Sequence, residues 1–233
     1  LLGFGAVAEH GHLPGWRADP RFAIVAVAEP RAARRDAAAR ALPGVRLYGS
    51  SDELFARENL DFVDVASPPA CHADAIVAAA ARRLHVLCEK PLVTNPADFR
   101  RARAAAAAAG IVLHPVHNWK HAEAFRLLRD AVPQPEEIAL RVERNGWSVS
   151  ADDWRAERRL AGGGILVDHG WHAFYLALAF AGAEPDSVRA TTDNRRYRDA
   201  DVEDSARCEI GFDGCRATIE LSWAGRVRET AWT

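Results

Sequence analysis

The 233-residue chain has no methionine, few cysteines and no marked excess of either charge. No apolar run approaches the roughly 20 residues that a membrane-spanning helix needs. Lys and Arg number 30 against 32 Asp and Glu, for a formal net charge of -2. Nucleic-acid grooves and anionic membrane surfaces call for a basic excess, so neither is an expected partner. The four cysteines, Cys71, Cys88, Cys208 and Cys215, form no C-x-x-C pair. They read as reduced core residues and point to the cytoplasm. Asp213-Gly214 reads as a two-residue hairpin turn, which pairs Cys215 with Phe212 and argues against a Cys208–Cys215 disulfide. The missing methionine, and an opening Leu1-Leu2-Gly3 that already reads as the end of a strand, suggest chain before Leu1. A secretion signal there would be out of view.

What is present is an ordinary globular composition, 49% apolar and 27% charged. In the first half, short Val/Ile/Leu-rich runs at Leu1-Phe4, Phe22-Ala28, Arg46-Tyr48, Phe62-Ala66, His85-Cys88 and Ile111-His114 read as strands. Between them lie helical patterns at Ala6-Trp16, Arg31-Ala41, Asp52-Arg57, Cys71-Arg83 and Pro96-Ala109. That alternation predicts an α/β domain with a doubly wound parallel sheet covered on both faces. The run Ala104-Ala109 belongs to a helix, with Asn95 as N-cap, Pro96 in its first turn and Gly110 just past its end. Gly11 and Pro14 are expected to shorten or kink the first helix.

After Asn118 the texture changes. A helix at His121-Val132 precedes a strand at Ile138-Arg144, and Gly162-Gly164 opens a helix running to Ala181. Strand patterns follow at Ser187-Arg195, Ser205-Phe212, Arg216-Trp223 and Val227-Thr233, the last stopping without a cap. We therefore expect domains over residues 1–117 and 118–233, the second an incomplete α+β domain with a mostly antiparallel sheet.

Gly3-Phe4-Gly5-Ala6-Val7-Ala8 is a G-x-G-x-x-A sequence set between the first strand and the first helix, the context in which it has a mechanism. Gly3 allows the tight turn, Gly5 lets backbone approach a pyrophosphate, and Ala8 keeps helix and strand close. The helix N-terminus, through Phe4, Ala6 and Val7, offers N–H groups and a positive dipole end. This is the Rossmann dinucleotide signature. Glu29 closes the second strand, where a carboxylate can accept the adenosine ribose hydroxyls and repel a 2′-phosphate. NAD is thus favoured, while Arg31, Arg34 and Arg35 just beyond keep NADP open.

Cys88-Glu89-Lys90-Pro91, ending a strand after a Rossmann start, resembles the Gfo/Idh/MocA oxidoreductases (glucose-fructose oxidoreductase, inositol dehydrogenase and relatives). Val65-Ala66-Ser67-Pro68-Pro69-Ala70-Cys71-His72 resembles the family's loop after the fourth strand, and residues 162–172, GGGILVDHGWH, its catalytic helix. The resemblance implies a hydride transfer between NAD (or NADP) and a hydroxyl carbon of a sugar, inositol or related polyol. It implies catalytic roles for Lys90, Asp168 and His172, and a Lys90-Pro91 bond that adopts the cis form. Ser67, Pro68, His72 and Glu89 would line the nucleotide, with Asn118 near the nicotinamide and substrate. It also implies a homodimer or homotetramer built through the second-domain sheet.

Elementary chemistry agrees with those roles. Asp168 and His172 are four residues apart and share a helix face, with Cβ atoms roughly 5–6 Å apart. Oxidising an alcohol requires a base for the hydroxyl proton, and histidine suits that exchange near neutral pH. A carboxylate steadies the imidazolium, and a lysine ammonium holds the alkoxide-like oxygen. His117 and His121 also stand four apart, but no third ligand lies at a familiar spacing and the hydride chemistry needs no metal. Trp119, Trp147, Trp154 and Trp171 read as core packing, with a sugar-stacking wall as the other reading. Two other functions stay open: an NAD-dependent glycosidase, and a non-enzymatic NAD-binding regulator.

Overall fold

The computed structural model describes residues 1–146 and 154–233. The chain divides at the end of the parallel sheet into two units, Leu1–Val116 and His117–Thr233. In the first, strands β1 (Ala26–Ala28) and β2 (Arg46–Tyr48) pair in parallel, as do β3 (Phe62–Val65), β4 (His85–Cys88) and β5 (Leu113–Pro115). The two groups are joined through Leu2, which bridges Ala28 on one side and Val65 on the other. The predicted strand Leu1-Phe4 is therefore reduced to a single bridging residue. Its ladder bonds are made, from Leu2 N–H to Asp64 O (2.8 Å) and Ala66 N–H to Leu2 O (2.8 Å), but Gly3 turns the chain away at φ 90°.

The predicted strand Phe22-Ala28 also begins late, at Ala26, because Phe22 packs edge-on against Trp16 and Phe62 instead. Around the sheet lie α1 (Leu13–Ala18), α2 (Ala32–Ala41), α3 (Ser51–Arg57), α4 (His72–Ala80) and α5 (Pro96–Ala109). The ends of α5 follow the caps read from sequence. Asn95 Oδ1 accepts the Asp98 N–H at 2.9 Å, and Gly110 closes the helix at φ 66°.

The first helix departs from expectation. Gly11 and Pro14 do not end it; instead Ala8–His12 widens into a π-helical turn that runs straight into α1, with Pro14 in its first turn. Pro14 lies within this continuous helix, where its missing N–H leaves a carbonyl of the widened preceding turn without its intrahelical donor. A π turn carries one extra residue, which rotates the residues after it by about 100° relative to a regular helix. That rotation bears on His12.

In the second unit, α6 (Glu123–Ala131) precedes β6 (Glu137–Asn145), and the short α7 (Arg158–Ala161) precedes α8 (Ile165–Asp168) and α9 (Gly170–Ala181). Strands β7 (Ser187–Asp193), β8 (Ser205–Phe212), β9 (Cys215–Ser222) and β10 (Ala224–Trp232) complete a sheet of order β10-β6-β9-β8-β7. Its pairs are antiparallel except β6 with β9, so the sheet is mostly antiparallel. The β8–β9 hairpin sets Phe212 opposite Cys215, and all four cysteines are free thiols. Along β6 the residues alternate, with Ile138, Leu140 and Val142 buried beneath Ile165, Leu176 and Ala177. Each such fully buried aliphatic side chain contributes roughly 1.5–3 kcal/mol.

The single helix predicted after the glycines at 162–164 and running to Ala181 is two helices, meeting at His169. Gly162-Gly163-Gly164 has a local explanation. A Cβ on Gly164 would overlap the Glu203 carbonyl oxygen, and one on Gly163 would sit 2.6 Å from Val167 Cγ2. The Glu203 carboxylate accepts the N–H groups of Gly164 (2.8 Å) and Leu166 (3.2 Å), capping the start of α8. No described helix is long and apolar enough to cross a membrane.

Candidate active site

In the first unit the glycine loop is seated by close backbone approach. A Cβ on Gly3 would lie 2.8 Å from Ala66 O and 3.0 Å from Ser67 N, so only glycine lets the loop rest on the chain leaving β3. Gly5 meets nothing within 4 Å, which leaves open space over the helix start. The N–H groups of that first turn have no intrahelical acceptor. Ser67 Oγ is buried without a hydrogen-bond partner. An open glycine, unsatisfied first-turn N–H groups and an orphaned hydroxyl are the features a dinucleotide's phosphates would complete, so these residues fit the group.

Glu29 is 3% exposed, and its carboxylate is already engaged. Oε2 accepts the Phe4 N–H (2.9 Å), and Oε1 accepts the backbone N–H and Nε–H of Arg31 (both 3.0 Å). Burial works to raise its pKa, but those donors and the Arg31 guanidinium outweigh it and hold the carboxyl below its usual range. The neighbouring arginines are occupied too. Arg34 bonds Glu9 and the Phe4 carbonyl, and Arg35 bonds the Glu29 and Pro30 carbonyls.

The Lys90–Pro91 bond is cis. Lys90 donates its backbone N–H to Glu89 Oε2 at 2.9 Å. His72 is fully buried, with Nδ1 2.9 Å from the Pro91 carbonyl and Nε2 2.8 Å from the Ser67 carbonyl. Burial pushes its pKa down. A wholly enclosed ring has no surface to offer a nucleotide, so its part is to tie the cis turn to the loop after β3. Glu89 likewise turns its carboxylate inward, where Oε1 lies 2.9 Å from His12 Nε2. Asp64 completes that group, 2.8 Å from His12 Nδ1 and 2.7 Å from the Trp16 indole nitrogen.

In the second unit His172 is 6% exposed. Trp119 stacks on its ring (centroids 4.4 Å, planes 11° apart), and the Tyr175 hydroxyl lies 3.0 Å from its Nδ1. The same hydroxyl accepts the Trp119 backbone N–H at 2.9 Å, so two mutually bonded residues lock one imidazole. Asp168 closes α8, with its carboxylate 3.2 Å from His169 Nδ1 but without hydrogen-bond geometry. Asn118 begins a 3-10 turn, Asn118–His121, that also carries Trp119. His117 stacks flat on Trp171 (5.4 Å, 5°). Among the described residues, no group of three His, Cys, Asp or Glu side chains could hold a metal ion. Trp154 carries Arg155 over its ring, and Trp147 lies outside the described residues.

Sequence reading missed His12, Asp64, Trp16 and Tyr175. A signal existed for two of them: Asp64 is the one acid inside the apolar run Phe62-Val63-Asp64-Val65, and Tyr175 stands one helical turn after His172. His12 gave none, because a regular helix would turn it elsewhere.

Residues 1–117 match the oxidoreductase family GFO_IDH_MocA, NAD-binding Rossmann fold, and residues 134–232 match the GFO/IDH/MocA C-terminal domain. The chain belongs to the Gfo/Idh/MocA oxidoreductase family. It is thereby an NAD(P)-binding oxidoreductase, with the mixed fold read from its sequence. It is similar to D-xylose 1-dehydrogenase (NADP(+)) 2 of Haloferax volcanii, at 31% identity over 96% of this chain and 68% of that protein. It is also similar to 1,5-anhydro-D-fructose reductase of Ensifer adhaerens, at 35% identity over 78% of this chain and 56% of the reductase. Among solved structures, GenD2 from gentamicin A biosynthesis, in complex with NAD, superposes with a TM-score of 0.88 at 30% identity. That match covers 99% of this chain and 66% of GenD2.

Proposed function

We propose that this family member transfers hydride between a nicotinamide cofactor and a hydroxyl carbon of a sugar, inositol or related polyol. Relatives named as a xylose dehydrogenase and an anhydrofructose reductase support that substrate class. Residues 1–117 hold the dinucleotide, and residues 118–233 carry the substrate side and the contacts between copies in a homodimer or homotetramer. The free cysteines accord with work in the cytoplasm.

The single observation that carries the reading is the locked His172. Its ring is stacked on Trp119 and held at Nδ1 by Tyr175, and a ring fixed in this way supports a role in proton exchange with the substrate hydroxyl. Lys90 holds the hydroxyl oxygen and stabilises charge that develops on it. Asp168, one turn before His172, favours the imidazolium once the proton arrives. Gly5, Ala6 and Val7 receive the pyrophosphate, Gly3 and Phe4 shape the loop with their own N–H groups given to Ala28 and Glu29, Ser67 and Pro68 line the nucleotide, and Asn118 lies near the nicotinamide and substrate. When bound, the nicotinamide supplies the hydride acceptor or donor. Glu29, buried and held ionised by Phe4 and Arg31, disfavours the 2′-phosphate of NADP through its charge.

Calorimetric titration of the full chain with NAD and NADP, followed by nicotinamide absorbance assays on D-xylose and myo-inositol, tests the proposal. Tighter binding of NAD and turnover of a polyol are expected. Binding of neither nucleotide would overturn it.

A further inference from the structure

The most heavily charged buried cluster in the first unit is not in the proton-exchange chemistry. It lies beneath the Lys90 turn. The π-helical turn Ala8–His12 delivers one imidazole between two carboxylates from neighbouring strands: Asp64 within β3 and Glu89 just after β4. His12 Nδ1 lies 2.8 Å from Asp64 Oδ2, and Nε2 lies 2.9 Å from Glu89 Oε1. Asp64 takes a second donor, the Trp16 indole N–H, at 2.7 Å. Glu89 spends its remaining oxygen on the Lys90 backbone N–H, at 2.9 Å. The chain of contacts therefore runs from first helix to sheet to the catalytic lysine without a gap.

We propose that His12 is a positioning residue for Lys90: bonded through both ring nitrogens, it orients the Glu89 carboxylate that anchors the Lys90 backbone. The proposal rests on the reading of Lys90 as catalytic, but its structural part stands apart from that reading. Ionised carboxylates only accept hydrogen bonds, so an imidazole facing one at each nitrogen serves both only as the imidazolium. A neutral ring would face one of the two buried carboxylates with a lone pair instead of a donor. Burial alone lowers the pKa of His12, but Asp64 and Glu89 overcome that and raise it to about 10. Burial likewise works to raise Glu89, while His12 and the Lys90 N–H hold it below its usual range. The other titratable groups near these carboxylates are the Lys90 ammonium, the Cys88 thiol and the His72 imidazole.

The π turn fits the same purpose. Returned to regular α-helical winding, the segment would rotate His12 by about 100° out of the gap between the two strands.

The test compares the full chain with His12→Gln, Glu89→Gln and the double variant. Glutamine at position 12 keeps a donor but cannot serve two carboxylates. Amide hydrogen exchange followed by NMR reads the Lys90 N–H directly and needs no substrate. In His12→Gln that amide is expected to exchange about tenfold faster or more, while the amides of Val65 and Val86 change less than about threefold. On the polyol that the wild type turns over, each single variant lowers kcat about tenfold with nucleotide affinity retained, and the double variant falls no further than the worse single. An unchanged Lys90 amide, or losses that multiply in the double variant, would overturn the proposal. Where His12→Gln does not fold, ring ¹⁵N shifts of the wild type decide: His12 doubly protonated at pH 9 supports it, and titration near 6.5 defeats it. If Lys90→Ala turns over normally, the catalytic reading fails, while the exchange result still reports on the anchor.

Discussion

The two units immobilise their proposed catalytic groups by opposite means. The first uses buried charge: His12, Asp64 and Glu89 form a hydrogen-bonded ionic group under the Lys90 turn. The second uses packing: Trp119 covers the face of His172, Tyr175 holds its Nδ1, and glycine lets the start of α8 rest on Glu203. Charge fixes direction where a strand end must aim a lysine, and it depends on pH. Close packing fixes an aromatic ring just as firmly, and it depends on volume instead.

The largest effect expected bears on the proposed chemistry that both arrangements serve. Lys90→Ala and His172→Ala should each lower kcat by about 10²–10⁴-fold in steady-state assays. A normal rate in either would leave that group's surroundings without the proposed catalytic purpose. Next comes a contrast between two glycines. Gly164→Ala sets a Cβ into the Glu203 carbonyl and should destabilise the second unit by about 4 kcal/mol or more in denaturant unfolding. Gly5→Ala meets no atom within 4 Å, so the fold should persist while NAD affinity drops about tenfold by calorimetry. Equal stability losses in the two variants would erase the distinction between a packing glycine and a ligand glycine.

A smaller effect separates charge from packing by pH. His12 has a raised pKa in the folded protein, about 10 against an ordinary 6.5. Its stabilisation is complete below about 6.5 and is lost as pH climbs through about 10. Glu89 has a lowered pKa, so its share is present above the ordinary 4.5 and goes as pH falls through the lowered value. Melting followed across pH should therefore show the first unit weakening on the alkaline side, and His12→Gln should remove that limb. An alkaline limb that survives the substitution would assign it to another group. Smallest is Tyr175→Phe, which deletes one hydroxyl. It should cost about 1 kcal/mol of stability, with the pH profile of kcat displaced because His172 Nδ1 loses its partner. A profile that superposes on the wild type would reduce Tyr175 to packing.

Much of this was legible in the residues themselves. The caps of α5, the strands Arg46–Tyr48, His85–Cys88 and Ser205–Phe212, and the Phe212–Cys215 register all follow from local rules. So did the glycine loop, because G-x-G-x-x-A has meaning only between a strand and a helix. Legibility failed where one element answers to another. Leu1-Phe4 keeps only Leu2 in the sheet, because the turn that serves the dinucleotide loop begins at Gly3. His72 and Glu89 look like ligand contacts in a motif, but their polar atoms are committed inside the protein.

The sequence alone determined the two-part architecture and the oxidoreductase family, since periodicity, turn chemistry and motif order are local properties of a chain. Only the tertiary structure decided that His12 is shared by Asp64 and Glu89, residues 52 and 77 positions away, and that Tyr175 and Trp119 fix His172. The physical reason is that buried charges and stacked rings are satisfied by whatever the fold brings within about 3–5 Å, and sequence distance places no limit on that partner.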